Sequence, residues 1–290
     1  QFFPESWRGG SSYGATSHDR GSIPIVCRRW RKRMFCLSGI GKTVGFLGCG
    51  KIGRAMVRHL LSQTERKIAF IQHPNFVNDL ELTCPIVDEF DEAKCQADLV
   101  VECATADVLK NNYANFLCNS NLMTFSISAL SDPQFLESAV DICRSSGTQI
   151  YLPHGAILGL DGIFDARELI SNVRIETIKS PATLGRSDEQ RTVVYEGDAR
   201  GAVSMFPRNT NVHAAIALAG IGLDKTSSRI VADPDVSTNT HKILVSGEGI
   251  EFKLDITTQA TGGVTGKYTP ISACGSLDRV LGTGADWIFV

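Results

Sequence analysis

The sequence predicts an α/β fold, in which a Rossmann-like doubly wound parallel sheet is followed by a smaller α+β domain. Between residues 43 and 152, short apolar segments alternate with helical stretches, as they do in a parallel sheet covered by helices. After Tyr151 the pattern changes to strand-like segments around one long helix of small residues, which indicates a second and different domain. A chain of 290 residues is long enough to give both domains a core.

We divide the chain into four parts. Residues 1–40 contain seven Lys or Arg and two acidic residues, a charge of +5, so the other 250 residues carry −7. This Ser-rich segment has no helical or strand period, and we expect a disordered or targeting extension, either a transit peptide or a translated upstream piece. Residues 41–153 are expected to form the first domain and residues 154–267 the α+β catalytic domain. Residues 268–290 are expected to form a C-terminal helix and tail that could pack back on the first domain.

A glycine-rich turn, Gly48-Cys-Gly-Lys-Ile-Gly53, lies between the first apolar strand and the first helical pattern. A dinucleotide-binding loop takes this position in a parallel sheet. Gly48 permits the tight turn, Gly50 lets the backbone approach a pyrophosphate, and Gly53 lets helix and strand pack closely. Lys51 and Ile52 begin the helix, whose N-terminus attracts phosphate charge. We therefore expect these five residues to bind a dinucleotide; the alternative is a glycine turn without a ligand.

The end of the second strand, Lys67–Ile71, indicates which dinucleotides fit. An NAD-preferring site often has an acidic residue there, which binds the ribose hydroxyls. The sequence instead has Gln72-His-Pro-Asn75, with neither an acid that would repel a 2′-phosphate nor an Arg that would require one. The sequence therefore predicts a site for NAD or NADP.

The remaining elements follow from apolar periodicity and turn residues. In the first domain we predict strands Asp98–Ala104, Leu122–Ile127 and Gly147–Leu152, with a helix from Ser131 through Ile142. In the second domain we predict strands Val173–Ile178, Thr192–Tyr195, Ser228–Ala232, His241–Val245 and Glu251–Thr257. A helix Val212–Gly222 follows Asn211, which is a good N-cap residue.

Composition argues against several other classes of protein. The net charge of −2 gives no reason to expect a nucleic-acid partner. No apolar run reaches the ~18 residues that a membrane-spanning helix needs, so we expect no membrane partner. The nine cysteines are scattered without a CxxC pair, which favours neither a disulfide framework nor a metal site. We expect reduced thiols in a cytoplasmic protein, or in an organelle matrix if residues 1–40 are a transit peptide.

Several longer segments resemble the L-aspartate dehydrogenase family, in the same order, from about residue 43 to residue 256. They are the glycine turn, Asp98–Glu102, Ser128–Asp132, Gly155–Asp161, Tyr195–Arg200, Phe206–Val212, Ala217–Asp224, Ala232–Pro234 and Asn239–His241. The resemblance implies NAD(P)-dependent oxidation of L-aspartate to iminoaspartate, which hydrolyses to oxaloacetate and ammonia, or the reverse reductive amination. It also implies a homodimer, cofactor contacts from Ala156 and Asn211, and a catalytic role for His241. Two segments, Thr177–Pro181 and Gly266–Pro270, depart from the family pattern.

Amine oxidation needs a group that exchanges protons near neutral pH, and histidine is the usual choice. Of the six histidines, His154, His213 and His241 remain as candidates. The resemblance favours His241, with His154 second. We expect the rate to fall on the acid side with an apparent pKa near that of a histidine.

A dicarboxylate substrate also needs cations, because Arg pairs with a carboxylate through two hydrogen bonds and Lys acts as a point charge. The cationic candidates are Lys179, Arg200, Arg208 and Lys225. Of these we favour Lys179 and Arg208, together with Asn239 from the segment that resembles the family.

Two other readings stay open. A related enzyme could use the same fold on another small acid, since dihydrodipicolinate reductase and homoserine dehydrogenase share this general plan. A dinucleotide-binding protein without turnover could act as a redox sensor, although the presence of His241 argues against it.

Overall fold

The computed structural model describes residues 43–63, 66–260 and 266–282, which fold around two sheets within one compact unit. The predictions for residues 1–40 and for the tail at 283–290 lie outside the described residues. Within the described ranges no helix is both long and apolar enough to cross a membrane. The same ranges contain no group of three His, Cys, Asp or Glu side chains that could hold a metal ion.

The first sheet has six parallel strands in the order β3-β2-β1-β4-β5-β6, which confirms the predicted doubly wound fold. The strands are β1 Thr43–Leu47, β2 Lys67–Gln72, β3 Ile86–Val87, β4 Leu99–Glu102, β5 Asn121–Thr124 and β6 Ile150–Tyr151. The helices that connect them are α1 Lys51–Leu61, α2 Ala106–Leu117 and α3 Pro133–Ser146. The short strand β3 was not predicted, because two residues are too few to show a period.

Local sequence signals fix the ends of α3. Asp132 is the N-cap and its side chain accepts hydrogen bonds from the backbone N–H groups of Gln134 and Phe135. Pro133 occupies the first helical position, where its missing N–H costs nothing. Gly147 ends the helix with φ of 71°, a left-handed conformation that glycine adopts without steric cost. The capping residues Asp132 and Gly147 therefore determine where this helix begins and ends.

The second sheet has five strands in the order β11-β10-β7-β9-β8 and is mixed, with β7 and β9 parallel and the other pairs antiparallel. Its strands are β7 Ile170–Lys179, β8 Thr192–Asp198, β9 Ser227–Ala232, β10 Thr238–Gly247 and β11 Ile250–Gln259. Three helices accompany them, namely α4 Leu160–Ala166, α5 Ala199–Met205 and α6 Asn211–Ala219. All five predicted strands are present, and each extends beyond its predicted range at one or both ends. His241, expected at the start of a strand, is the fourth residue of β10.

The predicted N-cap role of Asn211 is wrong. Thr210 takes the cap position of α6, although its side chain accepts no hydrogen bond from the N–H groups of the helix, and Asn211 is the first residue of the helix. The Asn211 Oδ1 atom instead accepts a hydrogen bond of 2.9 Å from the backbone N–H of Ser128, in the 3-10 turn Ile127–Ser131. Asn211 therefore links the second domain to the end of the first sheet.

The C-terminal helix α7, Tyr268–Leu281, packs against α1. Its Leu277 and Leu281 are fully buried in the same apolar cluster as Met56 and Val57. Polar contacts flank this cluster, among them the 2.8 Å pair between His59 Nε2 and Asp278 Oδ1. The last described helix thus covers the outer side of the first one.

Candidate active site

The glycine turn has the shape that a dinucleotide pyrophosphate needs. Gly48 has φ of +85°, and a Cβ atom added there would lie 2.7 Å from the backbone nitrogen of Ala104. A Cβ on Gly53 would lie 2.9 Å from Cys103 Sγ. A Cβ on Gly50, in contrast, would meet no protein atom within 4 Å. Two glycines therefore allow close packing, and the third leaves open space at the N-terminus of α1, so these residues fit a dinucleotide phosphate.

The end of β2 lies next to this turn. The backbone N–H of Cys49 donates a hydrogen bond of 3.2 Å to His73 Nδ1. Arg54 forms an ion pair with Asp79, and its guanidinium lies 4.5 Å from the centre of the Phe76 ring. Because Asp79 already neutralises part of the positive charge of Arg54, this residue does not require a 2′-phosphate as its partner.

A cavity of about 550 Å³ opens beside the glycine turn, between the ends of the first sheet and the second domain. Eight of the predicted site residues line it: Lys51, Ile52, Ala156, Lys179, Arg208, Asn211, Asn239 and His241. Gly48, Gly50 and Gly53 lie in the adjoining turn. Two further cationic candidates, Arg200 and Lys225, are not among the lining residues. The structure therefore brings cofactor, substrate and catalytic candidates from both domains to one cavity.

Arg200 has a structural role. It forms an ion pair with Asp224, and its Nη1 atom donates a hydrogen bond of 2.6 Å to the backbone carbonyl of Ser131. These contacts tie α5 to the 3-10 turn of the first domain. The expectation that Arg200 could bind a substrate carboxylate is not supported.

A buried carboxylate fixes the loops that form one wall of the cavity. Glu102, at the end of β4, is fully buried, and burial raises its pKa. It accepts hydrogen bonds from the hydroxyls of Thr124 and Ser126, at 2.6 and 2.9 Å. The backbone N–H groups of Ala104 and Ser126 donate to it as well, at 2.7 and 3.1 Å. These bonds stabilise the ionised form and hold the loops after β4 and β5 together.

His241 combines burial with access to the cavity. Its side chain is almost fully buried, and its Nδ1 atom lies 2.9 Å from Thr177 Oγ1, which leaves Nε2 for the cavity. Burial, and then the positive charge of Lys179, lower the pKa of His241 well below 6.5. The imidazole is therefore neutral at neutral pH. The expected acid limb near the ordinary pKa of a histidine does not agree with this environment, which moves it to lower pH.

Lys179 is a buried cation on the wall of the same cavity. It is 2% exposed, and burial lowers its pKa from 10.5 to about 8. Its Nζ atom donates a hydrogen bond of 3.2 Å to Asn209 Oδ1. Within the described ranges no carboxylate lies within ion-pair distance of Lys179. A buried ammonium in these surroundings favours an anionic ligand.

The other candidates occupy different positions at the cavity. Arg208 lines it and is exposed, whereas Asn239 lines it and is buried. His154 also lines the cavity, and burial lowers its pKa. It therefore remains the second candidate for proton transfer.

Sequence reasoning did not single out Glu102, Thr177 or Ser228, whose side chains support the site from within the core. Thr177 was part of a segment compared with the family, and His213 was already among the candidate histidines. Only the pairing of β7 with β10 and the position of α6 bring them to His241. Ser128, which also lines the cavity, lies in a segment that resembles the family.

The parallel sheet, its glycine turn and the adjoining cavity define an NAD(P)-dependent oxidoreductase of the α/β class. A family model described as "Aspartate dehydrogenase, C-terminal" matches residues 161–280, and one described as "Homoserine dehydrogenase, NAD binding domain" matches residues 48–153. The L-aspartate dehydrogenase of Methanococcoides burtonii is 34% identical over 226 residues, which cover 71% of this chain and 83% of that protein. The chain belongs to the L-aspartate dehydrogenase family.

Two further comparisons agree with this assignment. The L-aspartate dehydrogenase of Thermotoga maritima is 35% identical over 218 residues, covering 73% of this chain and 86% of that protein. The crystal structure of aspartate dehydrogenase from the same organism superposes with a TM-score of 0.70 at 30% identity, covering 86% of this chain and all of that one. Scyllo-inositol dehydrogenase from Lactobacillus casei, at 11% identity and a TM-score of 0.50, shares the fold alone.

Proposed function

We propose that this protein oxidises L-aspartate with NAD(P)⁺ and water to oxaloacetate, ammonium, NAD(P)H and one proton, and catalyses the reverse reductive amination. The observation that carries the proposal is a single cavity, beside the glycine turn, that holds both a buried neutral histidine and a buried lysine. The family relationship supports the choice of substrate, because the relatives matched at 34–36% identity are named L-aspartate dehydrogenases.

The glycine turn and the cavity wall offer the cofactor site. Gly48, Gly50 and Gly53 with Lys51 and Ile52 would hold the pyrophosphate, and Ala156 and Asn211 would flank the nicotinamide. When bound, the nicotinamide ring supplies the acceptor for the substrate hydride. The hydrogen bond from Ser128 to Asn211 keeps the second domain against the carboxyl end of the first sheet, where that ring would lie.

Lys179 provides the charge that selects a carboxylate. Its ammonium has three donor hydrogens, so it can bind a carboxylate while keeping its bond to Asn209. Arg208, which lines the cavity and is exposed, would bind the second carboxylate of a dicarboxylic acid. We assign Asn239 to the same substrate pocket as a polar, buried neighbour.

We assign His241 as the general base of the reaction. The substrate amine must lose a proton before hydride can leave the α-carbon, and the imine that results must then gain a water molecule. A neutral imidazole whose Nε2 faces the cavity can accept the proton in each of these steps, after releasing the first one to solvent. Its low pKa keeps it in the basic form across the neutral range.

Three further features belong to the proposal. Both NAD and NADP should serve, because the end of β2 carries neither an acid nor an unpaired Arg. A homodimer should form, as the family resemblance implies, which sedimentation equilibrium would measure. A reducing compartment, cytoplasmic or an organelle matrix, would suit a chain in which cysteines such as Cys49, Cys84, Cys95, Cys103, Cys143 and Cys274 form no disulfide.

The test is oxidation of NADH and of NADPH in the presence of ammonium and a panel of keto acids, namely oxaloacetate, 2-oxoglutarate and pyruvate. We expect turnover with oxaloacetate that disappears when ammonium is omitted. Chiral chromatography of the product should give L-aspartate. The His241→Ala variant, purified in parallel, controls for contaminating dehydrogenases.

The alternatives predict other results. Reduction of oxaloacetate without ammonium would indicate a hydroxy-acid dehydrogenase, and turnover with another keto acid would indicate a related enzyme of different specificity. Tight NAD(P)H binding without turnover on any substrate would favour a non-catalytic redox sensor.

A further inference from the structure

Behind His241, away from the cavity, lies an unbroken row of three buried polar side chains. Thr177 Oγ1 lies 2.9 Å from His241 Nδ1 and 2.7 Å from His213 Nε2. The other ring nitrogen of His213, Nδ1, lies 2.6 Å from Ser228 Oγ. Each of the four side chains is at most 2% exposed. The row connects four elements of the second domain: β10, β7, α6 and β9.

The second sheet and α6 bring these four groups together. Thr177 and His241 are directly opposite each other in the antiparallel pair β7–β10, so their side chains share one face. Ser228 lies on the same face of β9, opposite Ile175. His213, near the start of α6, reaches down between Thr177 and Ser228. Thr177 and His241 are 64 residues apart in the sequence, so their contact depends on how the chain folds and not on local sequence.

The hydrogen count makes the row directional. A threonine hydroxyl has one hydrogen, so Thr177 donates to one of its two histidine neighbours and must accept from the other. A neutral imidazole has one N–H and one bare nitrogen, so His213 passes the same direction on to Ser228. All bonds therefore run either from His241 toward Ser228 or from Ser228 toward His241.

The direction decides what His241 presents to the cavity. If the bonds run toward Ser228, Nδ1 of His241 carries the hydrogen and Nε2 is bare, which is the form that can accept a proton. If they run from Ser228, Nε2 carries the hydrogen and can only donate. A charged imidazolium would not obey this restriction, but burial and the charge of Lys179 lower the pKa of His213 to about 3 and that of His241 well below 6.5.

We propose that Thr177, His213 and Ser228 are positioning residues that set which nitrogen of His241 carries the proton, with the bonds running toward Ser228 in the active form. The inference rests on the proposed role of His241 as the base. None of the three residues lines the cavity, so none is expected to touch substrate or cofactor. Their effect on the reaction passes through the imidazole of His241 alone.

The sharpest variant is Ser228→Ala, because it removes one hydroxyl that is separated from His241 by Thr177 and His213. Without Ser228, an N–H on His213 Nδ1 would be buried without an acceptor, which is costly. The hydrogen of His213 then moves to Nε2, the Thr177 hydroxyl turns toward His241, and Nε2 of His241 becomes protonated. We expect kcat to fall by at least about tenfold with unchanged KM for aspartate and unchanged NAD(P)H affinity, since proton transfer is typically worth 10²–10⁴ in rate.

Thr177 gives a second, independent variant pair. Thr177→Val keeps the shape and removes the hydroxyl, whereas Thr177→Ser keeps the hydroxyl. We expect the valine variant to lose kcat as Ser228→Ala does and the serine variant to recover most of it. Ser120→Ala and Thr226→Val are matched controls, because each removes a buried hydroxyl that donates to a backbone carbonyl, of Ala97 and of Gly222, away from the cavity.

The direct measurement is ¹⁵N NMR of the imidazole side chains of the full chain, with His241→Ala used to assign the signals. We expect a bare Nε2 on His241 in the wild-type protein and a protonated Nε2 in Ser228→Ala. Unchanged His241 signals together with unchanged kcat in Ser228→Ala and Thr177→Val would overturn the proposal. The NMR signals need no turnover, so they test the row even if aspartate proves not to be the substrate.

Discussion

Replacement of Lys179 by methionine should make the unliganded protein more stable and its ligand binding weaker. The lysine is 2% exposed, and its pKa is lowered from 10.5 to about 8 by burial. At about 1.4 kcal/mol per unit, this shift corresponds to a penalty of about 3 kcal/mol for the folded protein with a charged lysine. The penalty is complete below about pH 8, where the lysine is charged in both the folded and unfolded states, and it fades as the pH rises toward 10.5.

We therefore expect Lys179→Met to raise the free energy of unfolding by up to about 3 kcal/mol at neutral pH, with a smaller gain at higher pH. Binding should change in the opposite direction, because loss of one partner of a buried charge pair costs about 2–5 kcal/mol. Succinate is a suitable probe, since it has both carboxylates of aspartate and no amine. Titration calorimetry with the cofactor complex should show a dissociation constant raised about 30-fold or more.

The pH dependence of succinate binding adds a second measurement. In the wild-type protein the affinity should fall as the pH rises through about 8, because the Lys179 ammonium is lost there. Lys225→Met, which removes an exposed lysine away from the cavity, is the matched control for binding and should leave the succinate affinity unchanged. Unchanged succinate affinity in Lys179→Met together with a collapse of kcat would refute the carboxylate role and make Lys179 a proton-transfer group.

Three other variants or measurements test the remaining site residues. His241→Ala should lower kcat for aspartate oxidation by about 10²–10⁴ with little change in NAD(P)H affinity, and a variant that keeps more than half of the wild-type kcat would direct attention to His154. Gly50→Val should abolish NAD(P)H binding, because the added side chain would occupy the space proposed for the pyrophosphate. The fold should be retained, because that space holds no protein atom. Fluorescence titration measures the NAD(P)H affinity, and an unchanged affinity would contradict this prediction. NAD and NADP should be accepted within about tenfold, or about 1.4 kcal/mol. A preference above about a thousandfold would show that a discriminating group had been missed, with His73 and Arg54 the first to test.

The features that could be predicted are those determined by neighbours in sequence. The strand, the glycine turn and the helix between Thr43 and Leu61 depend on contacts within some twenty residues, so periodicity and glycine positions were enough. The helix ends at Asp132 and Gly147 follow from capping chemistry in the same way. The second sheet was predicted strand by strand, but its order, with β7 between β10 and β9, depends on long-range pairing that no local pattern encodes.

Polar residues in the core were the hardest to predict. Glu102 is an ionisable residue that is fully buried, and Thr124 and Ser126, more than twenty residues away, supply the hydrogen bonds that its carboxyl group needs there. The sequence suggested that Asn211 caps a helix, but its side chain instead accepts a hydrogen bond from Ser128 in the first domain. Each of these choices was settled by tertiary partners that can be known only once the chain is folded.

The charge of Lys179 also links substrate binding to the basicity of His241. In the free enzyme burial, and then the charges of Lys179 and His213, lower the pKa of His241. A bound dicarboxylate would neutralise the charge of Lys179 and so remove part of the depression, since an anion nearby favours the protonated imidazole. The base would then become stronger only when its substrate is present.

We therefore expect the acid limb of kcat, which reports the enzyme–substrate complex, to lie at higher pH than the acid limb of kcat/KM, which reports the free enzyme. The two limbs should coincide in Lys179→Met. Coinciding limbs in the wild-type enzyme, or a limb of kcat/KM at or above 6.5, would show that Lys179 does not act on His241 in this way.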